Sequence, residues 1–319
     1  MKRIDKVSSL LFLLVAALFS PSIGGDSLIP SQPLADDGTT LISTGSIFEL
    51  GFFSPAGSSN RYIGIWYHNI PIQTVVWVAN RNRPINSRSG ILTITANGTL
   101  VITDDNSTVF WSSSSLALAN PVARLLDDGN FIVKEVDSDS FARESFNFPT
   151  DTVLPGMKVG WNQTRRSQAY VTSWKNTSDP SSGDYVMGLD LQGDPQLFIW
   201  SSMRQLWRGG PWNGVRYSGN PDMDSGLSHY EVVVEPDVLF WYYSRDPSII
   251  SRIAIEDSGV MNHYEWIEGR KSWRLFAFHP QEPQQCDSLS PCGPYGICYP
   301  NREKMCTCIQ GFHPKNGSN

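Results

Sequence analysis

The sequence predicts an all-β protein, on three observations. Short apolar, β-branched and aromatic runs recur at close spacing between turn residues. The chain carries 11 Trp, 11 Tyr and 15 Phe, which suit pleated, half-buried faces, with 26 Gly and 21 Pro to supply turns. No amphipathic stretch of three helical turns or more interrupts the pattern. In chain order the runs are "IFELGFFS", "RYIGIWYH", "TVVWVAN", "GILTITANG", "TLVITDD", "TVFWSSS", "ARLLDDG" and "NFIVKEV". Many short strands so spaced make a barrel, a prism or a sandwich.

The N-terminus has the three-part layout of a secretory signal peptide. Lys2, Arg3 and Lys6 precede the apolar run "LLFLLVAALF" (Leu10 to Phe19), and the small and polar "SPSIGGDS" follows. Residues 1–25 are read as this leader, with cleavage near Gly25. The apolar run falls well short of the ~20 residues that span a bilayer. Roughly 290 residues remain, too many for one small β domain, so two or more are expected. Without residues 1–25 the chain keeps 22 Lys/Arg and 30 Asp/Glu, a net charge of −8. An acidic chain with no basic run suits neither nucleic acid nor an anionic membrane surface. The reading is a secreted, extracellular protein, or the outer part of a longer one at the plasma membrane.

All five cysteines, Cys286, Cys292, Cys298, Cys306 and Cys308, lie near the C-terminus with the spacing C-x5-C-x5-C-x7-C-x-C. In an oxidising compartment such a cluster forms disulfides. The spacing does not decide the connectivity. No histidine falls at finger spacing, so a metal site is not expected. Upstream, "LTITANGTLVITD" and "ARLLDDGNFIVKE" echo each other as strand, Asn/Asp-Gly turn, strand.

Further motifs carry a resemblance. "ELGFFSP", "RYIGIWY", "VVWVANRNRPI" and "LTITANGTLVI" resemble the bulb-type lectin domain of plant S-domain receptors. "SFNFPTDTVLPGMKVG", "SWKNTSDPSSGDY" and "WRGGPWNGVRYSG" resemble the segments that follow it and the S-locus glycoprotein region, and "CGPYGIC" with "CTCIQGFHPKN" resembles an EGF-like module. The ordered set resembles the S-locus glycoproteins and the ectodomains of S-domain (G-type lectin) receptor-like kinases. That resemblance implies two tandem bulb-lectin-like β-prism units followed by a small disulfide-rich module. Residues 26–150 would be the bulb-type lectin domain, 151–281 the second lectin-like unit or S-locus glycoprotein region, and 282–319 an EGF-like module lacking its sixth cysteine. The family's pairing would join Cys286 to Cys298 and Cys292 to Cys306, leaving Cys308 unpaired.

Bulb lectins hold mannose on a Q-x-D-x-N-x-V-x-Y strand, whose carboxylate, amide and phenol bond sugar hydroxyls. The matching positions here are Thr95, Asn97, Thr99, Val101 and Thr103, then Leu126, Asp128, Asn130, Ile132 and Lys134. Only Asp128 and Asn130 keep polar motif residues, either as a residual sugar site or as the flanks of a turn at Gly129. In "WRGGPWNGVRYSG", Trp207, Trp212 and Tyr217 form a candidate aromatic cluster with Arg208 or Arg216 stacked on a ring, structural or a binding hot spot. In self-incompatibility members, variable segments of the second unit contact a small cysteine-rich peptide. The stretch from Asn220 to Ser248 lies in that part of the chain. It mixes Asp222, Asp224, Glu231, Glu235 and Asp237 with Phe240, Trp241, Tyr242 and Tyr243, which suits a basic peptide or an acidic loop beside a buried strand. Sequons stand at Asn97, Asn106, Asn162, Asn176 and Asn316.

Phosphate-loop, kinase, zincin and nucleophile-elbow motifs are all missing. The five histidines, His68, His229, His263, His279 and His313, are scattered, and Asp104-Asp105 and Asp127-Asp128 precede turn residues. Neither catalysis nor a cofactor is expected. The expected function is extracellular recognition of a peptide or protein ligand, with a homodimer or a receptor co-partner. The alternatives are a secreted mannose-binding lectin and a truncated product without independent function.

Overall fold

A computed structural model describes residues 25–202, 204–220, 223, 228–280, 286, 290–299 and 302–315. The expected leader before Gly25, Asp222, Asp224 and the sequon at Asn316 lie outside the described residues.

Three very short strands come first among the described residues: β1 (Ser27–Leu28), β2 (Leu34–Ala35) and β3 (Thr40–Ile42). Each becomes the outer strand of a different antiparallel sheet. β4 (Phe48–Phe53), β5 (Tyr62–Tyr67) and β6 (Val75–Val78) extend β3 in the order β3-β4-β5-β6. β7 (Ile91–Ile94), β8 (Leu100–Thr103) and β9 (Val109–Ser112) extend β2, and β10 (Pro121–Leu125), β11 (Phe131–Glu135) and β12 (Phe141–Glu144) extend β1. Three four-stranded sheets thus form the first unit, closed by pairing its first strand to its last hairpins.

The second unit nests in a related way, except that one of its sheets is assembled from two hairpins. β13 (Thr152–Val153), β14 (Val159–Asn162) and β15 (Ser167–Ala169) lead into β16 (Val171–Asn176), β17 (Asp179–Asp190), β18 (Gln196–Ser201) and β19 (Arg204–Arg208), which make one sheet. β20 (Ser228–Val233) and β21 (Val238–Ser244) then join β14 and β15, in the order β15-β14-β21-β20. β22 (Ser251–Ile255), β23 (Met261–Ile267) and β24 (Ser272–His279) join β13. All six sheets are antiparallel and four-stranded.

Alternation sets which face is inside. Leu92 and Ile94 of β7, Leu100 and Ile102 of β8, and Ala123 and Leu125 of β10 point inward between half-exposed neighbours. β5, "YIGIWY", is buried on both faces because its outer side packs with Phe53 and Val78 of its own sheet and with Trp174 of the second unit. The sequence echo is a structural repeat. Leu126 donates its N–H to the Asn130 carbonyl and Gly129 to that of Leu126; Thr95–Thr99 and Glu256–Val260 repeat both bonds. Each turn ends on a glycine of positive φ, +88° at Gly129, the geometry of a hairpin loop with a glycine bulge. Gly129 also leaves no room for a Cβ, which would stand 2.6 Å from Leu154 Cδ1.

The units share one continuous core, with Phe48 and Tyr67 in the same cluster as Val153, Leu154 and Ile253. Arg81, from the "VANRNRP" run, clamps them. Its Nε donates to the Pro180 carbonyl at 2.7 Å, Nη1 to that of Thr172 at 3.1 Å, and Nη2 to that of Ser173 at 2.7 Å. Tyr67 Oη donates to the Ser251 carbonyl at 3.2 Å, and Trp273 Nε1 to Thr74 Oγ1 at 2.9 Å.

The C-terminal cysteines surround a small hairpin of β25 (Gly296–Cys298) and β26 (Cys306–Cys308). Cys286 is bonded to Cys298 and Cys292 to Cys306, with Cα separations of 5.5 and 5.3 Å, while the half-buried Cys308 is a free thiol.

Candidate recognition surfaces

The sugar-motif positions come first. Asp128 Oδ1 accepts the backbone N–H of Asn130 at 2.9 Å, and the residue is exposed. Asn130 is 3 % exposed. Its Nδ2 donates to Glu144 Oε2 at 3.1 Å, and its Oδ1 accepts from Ser145 Oγ and the Phe146 N–H, both at 3.2 Å. The amide therefore ties the β10–β11 turn to the 3-10 turn at Ser145–Asn147. In the other stretch, Asn97 Oδ1 accepts from the N–H (3.3 Å) and Oγ1 (3.1 Å) of Thr99, so those side chains bond one another on an exposed turn.

The aromatic–acidic stretch divides by face. Tyr230, Phe240 and Tyr242 point into the core, while Trp241, on the opposite face of β21, is buried with Lys158 Nζ 5.1 Å from its ring centre. Asp237 is engaged locally, accepting from the Gln163 N–H at 2.7 Å and Asn162 Nδ2 at 3.1 Å. The hairpin between β20 and β21 leaves Val233, Val234, Glu235 and Tyr243 at the surface.

"WRGGPWNGVRYSG" closes the second unit. Tyr217 is fully buried, with Trp212 edge-on at 5.2 Å and Phe240 at 5.9 Å. The expectation of a stacked arginine is corrected: among the described residues no ring stacks on Arg208 or Arg216. Trp207 instead meets His279 of β24, stacked at 5.3 Å.

Sequence reading missed the cleft between the units. A cavity of about 470 Å³ is lined by Thr74, Asp151, Trp174, Asn176, Arg252 and Trp273, among others. Arg252 lies over the rings of Tyr264 at 4.5 Å and Trp273 at 5.2 Å. Arg252 Nε and Trp174 Nε1 are buried without hydrogen-bond partners among the described residues. Burial raises the Asp151 carboxyl to about 6, opposed by the nearby charges of Arg81 and Arg252. Asp151 sits in "PTDTVLPG", but its partners come from positions 81 and 252, so no local pattern announces the cluster. Of the sequons, Asn97, Asn106 and Asn176 are exposed and Asn162 is half-buried at the end of β14. No group of three or more potential metal ligands occurs among the described residues.

Comparison with known proteins places these features. Residues 74–175 match the D-mannose binding lectin family and residues 207–316 the S-locus glycoprotein domain family. The S-locus-specific glycoprotein S6 of Brassica oleracea is 36% identical over 321 residues, covering 97% of this chain and 73% of that protein. A receptor-like serine/threonine-protein kinase of Arabidopsis thaliana, SD1-8, is 38% identical over 308 residues, 92% of this chain and 35% of the kinase. The chain thus spans about a third of the length of such receptor kinases. The mannose-specific agglutinin of snowdrop bulbs (Galanthus nivalis), solved with methyl-α-D-mannoside, is 19% identical, covering 36% of this chain and 94% of the agglutinin, with a TM-score of 0.28. The matches are to lectin and S-locus glycoprotein regions, and no kinase domain lies within these 319 residues. The chain belongs to the family of S-locus glycoproteins and S-domain receptor-like kinase ectodomains.

Proposed function

We propose that the chain is a non-catalytic extracellular recognition module that binds a peptide or protein ligand through its second unit. Residues 1–25 would direct secretion, 26–150 and 151–281 would be the two lectin-like units, and 282–319 an EGF-like module. Family membership supports a receptor or S-locus glycoprotein role, with pairing to a second copy or a co-receptor as the step that transmits binding. The observation that carries the reading is the closure of the best-kept sugar-motif position. Asn130 is buried and its amide is bonded on both sides, while the β20–β21 hairpin exposes Val233, Val234, Glu235 and Tyr243. Apolar and aromatic contacts beside acidic charge suit a basic, disulfide-rich peptide.

The test is surface binding of the secreted chain to a panel of synthetic basic, disulfide-bonded peptides, with and without free mannose. The expected result is binding that mannose leaves unchanged and that Glu235→Lys with Tyr243→Ala weakens at least tenfold. Competition by mannose, together with loss of binding in Asp128→Ala, would replace this reading with that of a secreted mannose-binding lectin.

A further inference from the structure

The first unit carries a second cavity, unrelated to its sugar-motif positions. It encloses about 370 Å³ and is lined by Trp77, Arg83, Phe110, Trp111, Arg143 and Phe148, among others. Its place in the fold is specific. Trp77 stands on β6, Phe110 and Trp111 on β9, and Arg143 on β12, the last strand of each of the three sheets. Three sheet edges therefore converge on one opening.

The lining holds three arginines and no carboxylate. Arg81 is satisfied, by carbonyls and by the field of Asp151 and Asp179. Arg83 and Arg143 are different. Neither makes an ion pair among the described residues. Arg83 lies over the Phe110 ring at 5.2 Å; Arg143 lies over Phe148 at 4.1 Å and Trp111 at 5.9 Å, with one bond from Nη1 to Ser114 Oγ at 3.1 Å. Burial without a compensating acid holds the Arg143 guanidinium below its ordinary range. Arg143 is thus a half-buried cation without a compensating acid, and the exposed Arg83 lines the same cavity.

Nor does the fold require an opening there. In the second unit the sheet edges β19 and β24 meet each other. There Trp207 stacks on His279, and Met223 and Asn220 help close the end, leaving an internal cavity of only about 30 Å³.

We propose that this end of the first unit binds an acidic sugar, a uronic acid unit of an oligosaccharide. Its carboxylate pairs with Arg83 and Arg143, and its C–H face lies against the Phe110 and Trp111 rings. The guanidinium fork matches a carboxylate in two parallel bonds, and stacking on rings preorganises it. The enclosed volume suits a small ligand rather than a long peptide segment. The site stands apart from the hairpin assigned to peptide binding, so either reading can fail alone.

The experiment is calorimetric titration of the secreted chain with trigalacturonate, alongside neutral mannotriose and a glutamate-rich peptide of equal charge. Trigalacturonate is expected to bind, more weakly as salt rises. Arg83→Gln with Arg143→Gln should weaken it at least tenfold while the melting temperature holds, and Arg143→Lys should retain part of the affinity. The proposal is overturned by absent binding, by equal binding of mannotriose, or by affinity unchanged in the double glutamine variant. Tighter binding of the glutamate peptide would also overturn it, and would make the opening an acidic-peptide site.

Discussion

The two units follow related nested chain paths, yet they close their cores differently. In the first, Leu41, Leu50, Ile65 and Ile94 fill the interior, and buried polar groups are paired. Ser43 Oγ accepts the N–H groups of Ile47 and Phe48, and Asn80 Oδ1 accepts that of Ile63 at 2.9 Å. In the second, Tyr217, Tyr230, Tyr242, Met187 and His263 take the corresponding volume. Among the described residues Tyr217 Oη, Asn220 Oδ1, Trp241 Nε1 and His263 Nε2 are buried without hydrogen-bond partners, and every side-chain atom in that condition lies between Thr152 and His263. A buried polar atom left unpaired costs about 1–3 kcal/mol. The difference teaches that related backbone plans can serve as a well-satisfied frame or as a strained one. The frame carries the Arg81 clamp, and the strained unit carries the hairpin proposed to meet a ligand.

The largest expected effect comes from breaking the clamp. Arg81→Ala leaves three carbonyls of the second unit without their donor and should destabilise the chain by about 3–5 kcal/mol. Urea unfolding followed by tryptophan fluorescence should then separate into two transitions, the second unit melting first. A single transition shifted by less than about 1 kcal/mol would mean that the shared core alone couples the units.

Core substitutions sharpen the contrast. Leu50→Ala, at a fully buried aliphatic in the first unit, should cost about 2–5 kcal/mol. His263→Leu in the second should cost no more than about 1 kcal/mol at neutral pH, because it removes an unpaired ring nitrogen along with one bond to Tyr230. Equal losses at the two sites, measured by denaturant midpoint, would erase the distinction.

Acid divides the molecule further. Burial lowers His263 from 6.5 to about 4, so its contribution is present above pH 6.5 and is lost as pH falls through 4. Burial raises Asp151 from 3.8 to about 6, so its contribution is present below 3.8 and is lost as pH rises through 6. Between pH 4 and 6 the two oppose each other, each on the order of 3 kcal/mol. Wild-type stability should therefore change little in that window. His263→Leu should grow more stable on acidification and Asp151→Asn less stable, by unfolding at pH 4, 5 and 6.5. Parallel pH profiles for both variants would show that neither group titrates as its burial implies.

How much of this was legible depends on distance along the chain. The hairpins around Gly98 and Gly129 were, because apolar alternation and an Asn-Gly or Asp-Gly turn are local signals. The six-sheet closure was legible only through the resemblance, which implied two prism units, and not from any local pattern. β1 and β2 are two residues each, and Leu28 pairs with Ala123 and Leu34 with Leu92, far outside any window of periodicity. Asp128 and Asn130 stood out because a motif marked them, but nothing local shows that the Asn130 amide turns inward to Glu144 and Ser145. The pairing of Arg83 with Phe110 and of Arg143 with Phe148 was invisible for the same reason. Each arginine reads as an ordinary surface charge until three sheet edges meet.

The smallest effect concerns the glycans, and it sets Asn162 of the second unit apart from the turn sequons of both units. At Asn97 and Asn176 the Oδ1 accepts a hydroxyl and an N–H from Thr99 or Ser178 of the same sequon, an arrangement that leaves Nδ2 at an exposed turn. Asn106 is exposed too, its Nδ2 reaching only the adjacent Asp105 at 3.2 Å. Asn162 is held on both sides: Nδ2 donates to Asp237 at 3.1 Å and Oδ1 accepts the Arg165 N–H at 2.8 Å. A glycan linked there would sit against the β14–β21 edge. Native digestion with an amide-cleaving glycosidase should therefore release sugars from Asn97, Asn106 and Asn176 and spare Asn162 until the chain is denatured, as peptide mapping would read. Asp237→Ala should abolish that protection without moving the midpoint by more than about 1 kcal/mol, since the bond lies at a partly exposed edge. Release from all four sites at one rate would place Asn162 in the same class as the turn sequons at Asn97, Asn106 and Asn176, and the surface contrast would not hold.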